Sequence, residues 1–222
     1  MDVMLIILMI LLGLFFIFGT QYLIDKNGIT YIYIIYNVVA FLLYFKLIEV
    51  LKINLNANIV LSTLITSLTY FIIEKTNFKE YKNIIKQTFT VNIITSLLIL
   101  ICSLYIGTVN DTISVNMQNT FLTNYKILIS YPIITLINQL LIYIIYNNIS
   151  ELTKKYNMKI LLTNLTTLMI ETILFCIFSY VFKIEFISLV ILIISNYLLK
   201  VLISLIYTPF ISYFIKVKKV KL

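Results

Sequence analysis

Long apolar runs broken by short polar clusters dominate the chain, with few alternating stretches. A helix that crosses a hydrocarbon core of about 30 Å needs roughly 20 mostly apolar residues, because only a helix satisfies its own backbone polar groups there. Seven stretches meet or approach that length: Val3–Ile24, Ile29–Leu51, Asn58–Ile73, Phe89–Ile106, Ile127–Ile145, Ile160–Phe182 and Phe186–Ile215. The pattern therefore predicts an all-α, polytopic membrane helix bundle of seven transmembrane helices, or six if the first stretch does not span. The first stretch does not read as a cleavable signal: Asp2 is the only charge before it and no small-residue cleavage site follows. With no loop longer than about twenty residues, too short for a folded soluble domain, residues 1–222 read as a single integral membrane domain.

Composition agrees with the pattern. Hydrophobic residues make up 61% of the 222 and charged residues 12%, with mean hydropathy +1.04. The net charge of +8 comes wholly from lysine. Without an arginine fork to grip phosphate or guanine, and in so apolar a chain, that charge does not predict a nucleic-acid partner. Lysine position is informative in a different way, since cytoplasmic loops collect cations. Seven spans put twelve lysines on one face: Lys26, Lys75, Lys79, Lys82, Lys86, Lys154, Lys155, Lys159, Lys216, Lys218, Lys219 and Lys221. The opposite face receives three, Lys52, Lys126 and Lys183. The imbalance predicts a cytoplasmic C-terminus and an external N-terminus. Cys102 and Cys176 lie within apolar runs and read as small buried hydrophobes.

The absence of histidine removes histidine-based triads and the common zinc sites, and no phosphate-cradling glycine loop is present. The nine acids, scattered from Asp2 to Glu185, form no close cluster for a metal and none is paired with a nucleophile. The chain thus does not read as an intramembrane enzyme, and no catalytic residue, metal or cofactor is expected.

The chemistry lies in polar residues that lipid would reject. A charge at mid-span costs at least about 2.5–3.5 kcal/mol on insertion scales, so it needs a partner or a wet cavity. Glu171 and Lys200 fall near the centres of the sixth and seventh spans. Lys46 and Glu49 stand three apart near the end of the second, where a helix would let them pair or snorkel to the interface. Polar residues recur at helical spacing around these charges: Thr163, Thr167 and Glu171; Asn196, Lys200 and Ser204; Thr63, Ser67, Tyr70 and Glu74; Thr135, Asn138 and Gln139. The four stripes predict one shared polar cavity, although such residues also glue membrane helices together. Pro209 predicts a kink near Thr208, whereas Pro132 reads as a helix-start residue. Tyr70 and Tyr197, on or near the stripes, are the candidates for stacking on a planar ligand.

From Gly28 to Lys216 the chain resembles the VUT family of queuosine-precursor transporters. Gly28 through Ala40 to Lys46 and Glu49, followed by Asn58, is similar to that family's second span and the turn after it. Thr69, Glu74 and Lys75 resemble its Thr-Asp-x-x-x-Glu signature, with Tyr70 in place of the Asp; Lys126 stands for a family Arg. Gln139 resembles the Gln of Gln-x-x-Asp, with Ile142 replacing the Asp, and Glu171-Thr172 with Phe175 resembles Asp-Thr-x-x-Phe. Tyr197, Lys200, Thr208 and Pro209 match the closing Tyr-x-x-Lys and Thr-Pro elements.

The resemblance implies a bacterial inner-membrane carrier that imports 7-cyano- or 7-aminomethyl-7-deazaguanine. It implies a substrate pocket built from Glu171, Lys200, Gln139, Asn196, Tyr197, Tyr70, Glu74 and Lys46. A guanine-like edge offers two parallel N–H donors that a carboxylate accepts together, which makes Glu171 the first choice. Lys200 would then neutralise Glu171 in the empty state or donate to the ring carbonyl. The alternatives are a substrate-binding membrane subunit that needs an energising partner, and a non-catalytic assembly subunit. The sequence leaves open the coupling ion and whether the chain forms a homo-oligomer.

Overall fold

The computed structural model describes residues 2–23, 26–50, 53–104 and 112–219. Eight helices and one hairpin follow in the order α1 (Asp2–Leu23), α2 (Lys26–Leu43), β1 (Leu47–Val50), β2 (Ile53–Asn56), α3 (Ile59–Lys75), α4 (Phe78–Leu104), α5 (Thr112–Thr123), α6 (Tyr125–Leu152), α7 (Tyr156–Tyr180) and α8 (Phe186–Lys219). Among the described residues, α4, α6, α7 and α8 are long and apolar enough to cross a membrane, and shorter apolar helices run over Ile6–Phe15 and Thr30–Leu43. The helical bundle is thus present, with four helices of spanning length where the apolar runs predicted seven.

Polarity is distributed inside out. Large apolar side chains are exposed at helical spacing, as at Ile129, Ile133, Ile137, Leu140 and Ile144 on α6 and Ile187, Ile191, Ile194, Leu198, Leu202 and Leu205 on α8. Asn, Thr, Ser and Gln side chains are buried. Water would penalise that arrangement, whereas it is compatible with lipid around the bundle.

The centre is α3, which touches α1, α2, α4, α6, α7 and α8. One side of it is polar, with Ser62, Thr63, Thr66, Ser67 and Thr69 all buried. A helix so rich in hydroxyls persists because each one donates to a carbonyl one turn back: Thr63 to Ile59, Thr66 to Ser62, Ser67 to Thr63, Thr69 to Ile65. The small side chains also let six neighbours approach closely. At its end Asn77 caps α4, its Oδ1 accepting from the Glu80 amide at 2.9 Å. Gly13 lets α1 lie against α8: a Cβ there would run into the Tyr207 hydroxyl.

Several boundaries differ from the apolar runs. The second run, predicted helical to Leu51, is helical only to Leu43 and continues as the antiparallel hairpin, with Leu47 opposite Asn56 and Val50 opposite Ile53. Leu47-Ile48-Glu49-Val50 is rich in β-branched residues, and two paired strands satisfy their backbones on each other. Lys46 and Glu49 are therefore not helical neighbours; Lys46 is exposed just before β1 and Glu49 is on the strand. The fourth span begins at Phe78 rather than Phe89, and α5 occupies part of a predicted loop. Pro132 lies inside α6 rather than at its start, and Pro209 lies within the continuous α8. Lys52, Lys221 and the predicted ends at Ile24, Leu51 and Ile106 fall outside the described residues.

Candidate functional site

The two mid-span charges meet. Lys200 Nζ donates to Glu171 Oε1 at 3.0 Å, with only 4% and 8% of the two side chains exposed. Each offsets part of the other's desolvation, and removing either would strand a buried charge. Tyr44, in the turn just after α2, also donates to Glu171 Oε1 at 3.0 Å, and Asn138 Nδ2 of α6 approaches Oε2 at 3.3 Å. The turn after α2 and the helices α6, α7 and α8 thus converge on one carboxylate.

The Glu171 face borders a cavity of about 30 Å³ between α2, α3, α6 and α7, room for roughly two waters. Tyr33, Asn37, Tyr44, Thr66, Thr69, Gln139 and Phe175 are among its lining residues. Lys200 is not a lining residue, so the cavity lies away from the α7–α8 contact and reaches the ion pair from the carboxylate side. Around it Gln139 Nε2 donates to the Tyr33 hydroxyl at 2.8 Å, Tyr33 shares a 3.1 Å bond with Thr69, and Tyr131 donates to the Asn37 carbonyl at 2.8 Å. Three carboxamide oxygens, Asn37 Oδ1, Asn138 Oδ1 and Gln139 Oε1, are buried with no hydrogen-bond partner. Buried acceptors of this kind are costly unless a donor reaches them. The wall also holds an aromatic cluster: the Tyr44 ring centroid is 3.8 Å from that of Phe175 and 5.0 Å from that of Tyr131, which stacks on Phe41.

Chemically, the site presents a carboxylate, three spare acceptors and aromatic faces. It suits a planar ligand rich in N–H donors. At 30 Å³ the cavity does not admit a ring of that size, so binding requires α2, α3, α6 and α7 to part.

Of the residues picked from the sequence, Glu171, Lys200 and Gln139 come together here. The other five lie elsewhere. Asn196 Oδ1 accepts from the Asn56 amide at 3.0 Å and so pins the hairpin to α8; Asn56 Oδ1 in turn accepts from Tyr180 at 2.9 Å. Tyr197 donates to the Leu165 carbonyl at 3.1 Å. Tyr70 donates to Asn164 Oδ1 at 2.6 Å, and Asn164 Nδ2 to Ser204 at 2.9 Å, a network joining α3, α7 and α8. Glu74 takes Lys159 at 2.9 Å and Tyr146 at 2.8 Å at the far end of α3, and Lys46 is exposed. On α3 the cavity takes Ser62, Thr66 and Thr69 rather than the predicted Thr63, Ser67 and Tyr70 stripe.

The four predicted polar stripes leave out the face of α2 that meets the cavity. Tyr33, Asn37, Phe41 and Tyr44 recur every three or four residues on one face, and that spacing was a visible signal. No protein-family model, curated protein or solved structure matches the chain.

Proposed function

We propose that the chain is a membrane transporter that carries a queuosine precursor, 7-cyano- or 7-aminomethyl-7-deazaguanine, into the cytoplasm. The observation that carries the reading is Glu171: a buried carboxylate, neutralised by Lys200, bordering an acceptor-rich cavity walled by Tyr44, Tyr131 and Phe175. A deazaguanine presents adjacent N–H donors and a flat ring, and the carboxylate, amide oxygens and aromatic faces complement each of these. Glu171 Oε2, held among the described residues only by the 3.3 Å contact from Asn138, is the oxygen a ligand N–H engages first. Lys200 supplies the counter-charge to that carboxylate while the site is closed.

In this reading the protein has seven spans, α1, α2 with its hairpin and α3 crossing alongside the four longer helices. The C-terminus is cytoplasmic and the N-terminus external. The clustering of Lys75, Lys79, Lys82 and Lys86 around the α3–α4 turn, with Lys154, Lys155 and Lys159 around the α6–α7 turn, supports that orientation. Transport proceeds by alternating access: the helices around the cavity part toward one face, then the other.

Expression in cells that can neither make nor import the precursor should restore queuosine to their tRNA, and E171A or K200A should abolish the rescue. Rescue that survives both substitutions would overturn the assignment of the site. Purified protein in liposomes should take up the labelled precursor unaided; binding without uptake would instead make the chain a substrate-binding subunit of a larger transporter.

A further inference from the structure

Two of the three lysines that the charge-sidedness count leaves on the sparsely charged face, Lys126 and Lys183, stand side by side in the folded chain. Lys126 Nζ reaches the Val181 carbonyl at 3.4 Å, while Lys183 Nζ donates to the Thr123 carbonyl at 2.7 Å and to Asn124 Oδ1 at 3.0 Å. The α5–α6 turn and the α7–α8 turn are thus cross-linked through these two cations. Among the described residues neither ammonium has a carboxylate within ion-pairing distance. Burial and the adjacent Lys126 charge hold the Lys183 ammonium below its ordinary pKa.

Directly below Lys126 runs an apolar groove of about 440 Å³ between α6 and α7, lined by Ile129, Ile133, Ile137, Ile177 and Phe178. These side chains are between 38% and 61% exposed, so the groove opens onto the apolar exterior of the bundle. At its mouth Phe182, at φ 70°, holds an uncommon backbone conformation for a bulky residue, is 92% exposed, and lies 5.4 Å beneath the Lys126 ammonium.

We propose that this groove is a binding site for an anionic phospholipid, whose phosphate bridges Lys126 and Lys183 and whose acyl chain fills the groove between α6 and α7. Charge complementarity selects the occupant: Lys126 at one end of the apolar channel, with Lys183 beside it and neither ion-paired among the described residues, matches a phosphate ester joined to a hydrocarbon chain. The site rests on the membrane setting of the bundle and is independent of what the central cavity carries.

Native mass spectrometry of the detergent-purified protein, titrated with dioleoylphosphatidylglycerol or dioleoylphosphatidylcholine, tests it. The wild type should retain one phosphatidylglycerol at about tenfold lower concentration than phosphatidylcholine, a preference of about 1.4 kcal/mol. K126Q/K183Q should erase the preference, K126R/K183R should keep it, and K216Q at the opposite end of the bundle should leave it unchanged. I133W, which fills the groove and spares both lysines, should weaken phosphatidylglycerol retention. Equal retention of both lipids by the wild type, or an unaltered preference in K126Q/K183Q, overturns the site. Undiminished retention in I133W also overturns it, because the lysines would then bind phosphate without a chain. The arginine variant shows whether any loss in the glutamine variant comes from charge or from misfolding.

Discussion

Among the described residues the bundle contains two acid–lysine pairs of nearly equal length, 3.0 Å for Glu171–Lys200 and 2.9 Å for Glu74–Lys159, and their surroundings differ. Glu171 stands near the middle of α7 beside a cavity, with a tyrosine and an amide on its two oxygens and unpartnered acceptors around it. Glu74 closes the end of α3, and its lysine sits 3.7 Å from the centre of the Tyr146 ring, which itself stacks on Tyr70. The second pair is packed on by aromatic rings, while the first borders a space that has acceptors to spare. In the proposed reading, the ion pair whose neighbours still need hydrogen bonds belongs to the ligand site, and the one that rings cover is a clasp between helices.

Breaking each pair sharpens that contrast most. E171A or K200A leaves one charge stranded at depth and should cost about 3–5 kcal/mol of stability. The double variant E171L/K200M, which removes both charges, should recover most of that loss in thermal unfolding while uptake stays at background. E74Q or K159M should cost less, about 1–2 kcal/mol, since the side chains at that pair are 11% and 12% exposed and its charges are screened more. Equal losses at the two pairs, or a double variant that transports, would dissolve the distinction between site and clasp.

The tyrosines at the two pairs give a finer test. Tyr44 and Tyr146 each donate to a glutamate Oε1, at 3.0 Å and 2.8 Å. A hydrogen bond to a charged group contributes about 1.5–3 kcal/mol, so Y44F and Y146F should both lower the melting temperature. Only Y44F should also raise the substrate concentration for half-maximal uptake, because its hydroxyl orients the carboxylate that faces the cavity. The same rise in Y146F would extend the binding site to the end of α3.

The legible part of this molecule was the part set by solvation cost. Glu171 and Lys200 stood out because an apolar run does not tolerate a charge without a partner, and the chain brings them together. The apolar runs also located the four long helices to within several residues at most ends; α4 is longer because its amphipathic first turns carry Lys79, Lys82 and Lys86. Periodicity could not tell which polar face of α3 meets the cavity, since that helix is buried all round and Thr66 and Thr63 look alike from the sequence. The helix-to-hairpin switch after Leu43 was hidden for a related reason: Leu47 to Val50 is apolar enough for a span, and what decides it is tertiary, through Asn56, Tyr180 and Asn196 locking the hairpin between helices.

Lys46 yields the smallest expected effect and tests that same switch. Had the second helix continued to Leu51, Lys46 would have paired with Glu49 one turn on, and K46Q would have left a carboxylate without its counter-charge. In the folded chain Lys46 is exposed, and its backbone rather than its ammonium takes part, the carbonyl accepting from the Ala57 amide at 2.9 Å where the hairpin closes. K46Q keeps that carbonyl, so it should shift stability by no more than about 0.5 kcal/mol, the range for exposed surface changes, and leave uptake intact. K46P keeps the carbonyl but removes the Lys46 amide, which donates to the Leu43 carbonyl at 3.1 Å in the turn that leads into β1, and it should lower uptake by displacing Tyr44, two residues before it, from Glu171. A K46Q variant impaired as badly as K46P would return the lysine side chain to the site and argue for a helical second segment in the active protein.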